Sequence, residues 1–169
     1  PQSVSVQRTP ARVTSTYEPE AGSRCQTIYT ASAQGDVVVT QEARSERAGL
    51  YGVEWGLSGI SGDQVTVIVP GYSGVAFRSG QAPFSSLTFS WPSGWEAGMV
   101  LLQMSRGGFL IRADDPDLRF KALIVRHDRG RFALRFQTHN HAPFDASRAA
   151  ESVAWRIHAS AGDWRAGAG

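Results

Sequence analysis

Between residues 13 and 158 the chain reads as a succession of short segments whose apolar residues recur at every second position, and the three-to-four-residue spacing of a helix is almost absent. Side chains alternate across a strand but spiral around a helix, so this pattern admits packed sheets and little else. Residues 13–17, 26–30 and 36–43 are rich in Thr, Val and Tyr and are punctuated by Glu18-Pro19 and Gln34-Gly35. Residues 50–57 set Tyr51, Val53, Trp55 and Leu57 on one parity, which predicts an apolar face with Trp55 in the core. Residues 64–69, 75–78 and 86–91 are further extended pieces, followed by 99–104 and 109–113, joined through Gly107-Gly108 as a tight turn. Residues 120–127 alternate Phe120, Ala122 and Ile124 against Lys121, Leu123 and Val125; they turn at Asp128-Arg129-Gly130 and pair with residues 131–138. In that partner Phe132, Leu134 and Phe136 form the apolar face, and in residues 153–158 Val153, Trp155 and Ile157 do the same. Roughly a dozen strands without intervening helices predict an all-β, antiparallel two-sheet sandwich.

Length is compatible with that reading. A chain of 169 residues can enclose one core without metal or disulfide staples, whereas a (β/α)8 barrel takes roughly 250. The sandwich is expected over residues 1–162. Asp163 is placed to cap a short helix beginning at Trp164, so residues 163–169 read as the start of a linker.

The 17 basic and 15 acidic residues are interspersed, which argues against nucleic acid as a partner. No apolar run is long enough to span a membrane as a helix. The single Cys25 can form no internal disulfide and reads as a small buried residue.

His139 and His141 flank Asn140 and offer two imidazoles, fewer than the three or four protein ligands of a zinc site, so the stretch reads as a polar loop closing one end of the sandwich. Asp114-Asp115-Pro116-Asp117 lacks the spacing of a calcium loop and reads as a solvated turn. Ser147, His141 and Asp145 are close in sequence but lack a nucleophile elbow. No catalytic residue, metal or cofactor is assigned. Trp55 and Trp155 belong on core faces with their indole N–H groups satisfied. Trp91 and Trp95, in the loop Trp91-Pro92-Ser93-Gly94-Trp95, either close the edge of the sandwich, dock onto another domain or meet a ligand.

Several of these segments together carry a resemblance. Trp91-Pro92, Gly107-Gly108-Phe109-Leu110-Ile111, Asp115-Pro116, Phe120-Lys121, His139-Asn140-His141-Ala142-Pro143 and Gly162-Asp163-Trp164-Arg165 resemble the N-terminal sandwich of certain bacterial glycoside hydrolases. Trp55-Gly56-Leu57-Ser58-Gly59-Ile60 and Val69-Pro70-Gly71 are similar to that domain's early strands, so the likeness extends over about three quarters of the chain. In the α-galactosidase and endo-α-N-acetylgalactosaminidase group, a galactose-mutarotase-like supersandwich precedes a catalytic (β/α)8 barrel. The resemblance implies a non-catalytic module packed on such a barrel, with Trp91, Trp95, His139, Asn140, His141 and Trp164 contacting barrel or carbohydrate. The compartment is left open between secreted and cytoplasmic in a bacterium, with a slight preference for secreted. The alternatives are a free-standing carbohydrate-binding protein and an aldose 1-epimerase, although His139 or His141 with Glu151 does not match the epimerase acid–base pair.

Overall fold

The computed structural model describes residues 2–78 and 84–162, with side chains from residue 5 onward. Among these residues there is no helix, and fourteen strands form two antiparallel sheets. In chain order the strands are β1 (Gln2–Thr9), β2 (Arg12–Glu18), β3 (Ser23–Ala31), β4 (Val37–Ser45), β5 (Gly52–Ser61), β6 (Thr66–Val69) and β7 (Val75–Phe77). They continue with β8 (Ser86–Trp91), β9 (Met99–Met104), β10 (Gly107–Asp114), β11 (Lys121–Asp128), β12 (Arg131–His139), β13 (Ala149–Glu151) and β14 (Ala154–Ala161). The long sheet runs β1-β2-β3-β4-β14-β10-β9-β6-β7, with β13 beside the far half of β4, and the short sheet runs β5-β12-β11-β8. The expected all-β two-sheet sandwich is therefore what forms. Two strands were not foreseen: β13 has only three residues, and β1 alternates Val4 and Val6 with serine, too weak an apolar signal beside a polar partner.

Period-two patterning decides which side chains meet between the sheets. Val53, Trp55 and Leu57 of β5 stand opposite Thr138, Phe136 and Leu134 of β12, and the latter two oppose Leu123 and Val125 of β11. From the long sheet come Val39, Leu102, Ile111 and Trp155, so the apolar faces of both sheets close on one core. Trp155, 0% exposed, stacks on Trp95 at 6.0 Å and 15° and meets Phe136 at 5.0 Å and Trp55 at 6.3 Å. The indole nitrogens of Trp55 and Trp155 have no hydrogen-bond partner among the described residues, contrary to expectation; their environment is aromatic. Polar cross-links add register: the buried Gln41 of β4 donates through Nε2 to the Glu54 carbonyl at 2.9 Å and to Thr27 Oγ1 at 3.0 Å.

Two turns illustrate what sequence does and does not reveal. Asp128-Arg129-Gly130 turns as expected, with Arg129 and Gly130 at φ 48° and 75°, the positive pair that matches hairpin twist. The β9–β10 turn, however, is Ser105-Arg106, because Met104 pairs with Gly107 and both glycines lie inside β10. Crowding explains their presence: a Cβ on Gly108 would sit 2.4 Å from the Leu102 carbonyl oxygen. Cys25 is buried and free, as expected.

Trp155→Ala is expected to lower unfolding free energy by about 3–5 kcal/mol, because the surrounding rings cannot collapse onto the space left. Urea denaturation followed by circular dichroism measures this, and a loss below about 1 kcal/mol would contradict the central role given to that ring.

Candidate functional site

Three of the carboxylates that sequence could offer to catalysis, Asp36, Asp114 and Asp115, are engaged in the fabric of the fold. The Asp114–Asp117 stretch is not a simple solvated turn, since the Asp115 side chain is buried against Lys121 and Arg119. Lys121, the sole lysine of the chain, shares the inward parity of Leu123 and Val125 and is only 3% exposed. Its Nζ donates to Asp115 Oδ2 at 2.8 Å and to the Arg119 carbonyl at 3.1 Å, and lies 4.0 Å from the centroid of the Trp91 ring. Burial alone would raise the Asp115 carboxyl, but the hydrogen bond and charge of Lys121, with the Arg119 N–H and guanidinium, outweigh it and hold the group below its ordinary value.

A second network covers the outer face of the long sheet. Asp36 meets His158 Nδ1 at 2.7 Å and accepts from Arg156 at 3.1 Å, and Arg156 also donates to Asp114 at 2.9 Å. These bonds, that of His158 first and Arg156 next, lower the Asp36 carboxyl. Carboxyl groups held in the ionised form are the opposite of what a general acid requires.

The outer face of the short sheet has a different character. Its floor combines the small residues Gly56, Ala122, Thr88 and Ser90 with Ile124, and a polar row crosses it. Gln137 Nε2 donates to Glu54 Oε2 at 2.8 Å, and Arg135 Nε lies 3.9 Å from Glu54 Oε1. At one end the His139 ring is held between two exposed aromatics: Tyr51, 54% exposed, at 5.4 Å and 74°, and Phe120, 45% exposed, at 4.8 Å and 60°. Tyr51, Glu54, Gln137 and His139 share the wall of a recess of about 100 Å³. Burial lowers the His139 pKa, which favours the neutral imidazole.

The loop between β12 and β13 fixes this end. Asn140 donates its backbone N–H to the Tyr51 carbonyl at 2.7 Å, and its Nδ2 reaches the Leu50 carbonyl at 2.7 Å and the Ala149 carbonyl at 2.9 Å. Asn140 thus acts as a clamp on the backbone that carries Tyr51, whereas His141 is exposed. No group of three or more His, Cys, Asp or Glu side chains among the described residues is arranged to hold a metal.

The expectation for Trp95 needs correction. It is 0% exposed, donates Nε1–H to the Met99 carbonyl at 2.8 Å, and lies in the core against Trp155, so its face is closed to a sugar or a neighbouring domain. Trp91 is half-buried and packs on the core with the Lys121 ammonium over its ring. Asp163 and Trp164 lie outside the described residues. Sequence reasoning missed Tyr51 and Phe120. Tyr51 sits on the same parity as Val53 and Trp55, which suggested the core, but it precedes the first residue of β5 and escapes that alternation.

The chain matches no protein-family model and no curated protein sequence.

Asp115→Asn is expected to cost about 3–5 kcal/mol at neutral pH by leaving the Lys121 charge unpaired. Because the folded-state carboxyl is lowered, the stability it supplies is present above the ordinary value of 3.8 and is lost as pH falls through the folded value. Denaturation curves of parent and variant should therefore converge in acid, and an equal gap at all pH values would contradict the pairing.

Proposed function

We propose that this sandwich is a non-catalytic module of a carbohydrate-active enzyme, and that it meets glycan through the outer face of the short sheet. The observation that carries the reading is the pair of exposed rings, Tyr51 and Phe120, bracketing His139 beside the Glu54–Gln137 pair. Sugars present apolar C–H faces and polar edges, so a stacking ring next to fixed hydrogen-bonding groups matches both at once. The small residues Gly56, Ala122 and Ser90 beside the Glu54–Gln137 pair let a flat ligand lie close to the strands there. The resemblance to sandwich domains that precede glycoside hydrolase barrels points to the same class and adds the barrel as a partner within the same polypeptide.

A second surface favours that partner. Leu57, Val65, Leu102, Phe109, Ile111 and Ile157 line a groove of about 350 Å³ at the open end of the sandwich, with almost no polar group among them. Grooves of this kind commonly receive a neighbouring domain.

Isothermal titration with neutral galacto-oligosaccharides is expected to show binding that Tyr51→Ala weakens about tenfold, the equivalent of roughly 1.4 kcal/mol. Tyr51 is exposed, so the variant keeps its fold. Equal affinities in parent and variant, or no heat with any saccharide, would contradict the proposal.

A further inference from the structure

Toward the β11–β12 turn the same sheet face becomes strongly basic. Arg131, Ala133 and Arg135 point outward at alternate positions of β12, and Arg126 of β11 stands directly opposite Ala133. Here β5 and β12 slip register: Phe132 pairs with Ile60 and Leu134 with Leu57, so Ser58 and Gly59 together face Ala133. Gly59 takes φ 74°, the left-handed conformation of a bulge residue. With no side chain at Gly59 and only a methyl at Ala133, the bulge leaves a recess of about 350 Å³ walled by Arg126, Arg129 and Arg131.

The charges around this recess are poorly balanced. Asp128 is the one carboxylate lining it, and it lies 4.0 Å from Arg129 with both side chains almost fully exposed. Arg126 and Arg131 have no ion-pair partner among the described residues, while Arg135 is shared with Glu54. Like charges gathered on neighbouring strands oppose folding by mutual repulsion. An oxyanion seated between them would remove that repulsion and accept the paired N–H groups that a guanidinium presents.

We infer that the glycan is acidic, with a carboxylate or sulfate seated between Arg126 and Arg131; this rests on the glycan-binding reading of the same face. The seven residues of β12 from Ala133 to His139 span about 20 Å, the length of a short oligosaccharide rather than a single sugar. One end of such a chain stacks at Tyr51 while its anion occupies the bulge recess.

The test is isothermal titration of the whole chain with tetragalacturonate and with its fully methyl-esterified form, which has the same backbone without the charge. The acid is expected to bind about tenfold more tightly than the ester and to weaken as sodium chloride is raised. The double variant R126A/R131A should bring the acid down to the affinity of the ester and leave the ester unchanged. A sulfated galactan tetrasaccharide alongside its desulfated form shows whether sulfate is the preferred anion, and a preference for either charged member supports the inference. Equal affinity for charged and neutral members of both pairs, or no effect of R126A/R131A, overturns it. In that case retained binding of the neutral sugars, still weakened by Tyr51→Ala, leaves the module reading standing; no binding of any saccharide removes both.

Discussion

The structure depends above all on the packing of Trp155. Its ring comes from the long sheet and stacks on Trp95, which belongs to the loop leaving the short sheet, while Phe136 and Trp55 reach it from two adjacent strands of that short sheet. One buried ring therefore ties together both layers and the crossing between them. Buried aromatic area of this kind supplies much of the apolar driving force of a sandwich core and also fixes the separation of its layers. With the layer spacing fixed, β12 must present Arg135, Gln137 and His139 outward, because Phe136 and Leu134 are committed inward.

From that constraint the candidate face follows by parity alone. Gln41 donating to the Glu54 carbonyl holds β5 against β4, so the outward Glu54 side chain is displayed from a fixed backbone. Asn140 does the same for Tyr51 at the end of the sheet. The polar and aromatic groups proposed to meet a glycan thus stand on strands and clamped turns, where little ordering entropy remains to be lost on binding. The bulge opposite Ala133 is where the ladder of the short sheet yields, and it is there that the arginines gather.

Much of this fold was legible in sequence because alternation is a strong signal where one face is buried. Phe132, Leu134 and Phe136, and likewise Val153, Trp155 and Ile157, declared their inward face directly. Lys121 was harder to read: its parity with Leu123 and Val125 points inward, but the partner that lets a lysine be buried there, Asp115, comes from a loop six residues earlier. Trp95 was misjudged for a related reason, as a residue in a Pro- and Gly-containing loop that the chain folds back into the core. Of the candidate site, His139 stood out by its His-x-His spacing and Asn140 through the resemblance, but Tyr51 and Phe120 did not. Their importance arises from two rings, each just ahead of a strand, converging on His139 of a third strand.

The most direct measurement is a map of backbone amide shifts in the isotopically labelled chain as an oligosaccharide is added. The account predicts that shifts concentrate on Tyr51, Glu54, Gln137 and His139 and leave the Asp36–His158 side of the long sheet unmoved. Shifts concentrated on the long sheet, or none at saturating sugar, would contradict the assignment of the short sheet's outer face as the glycan surface.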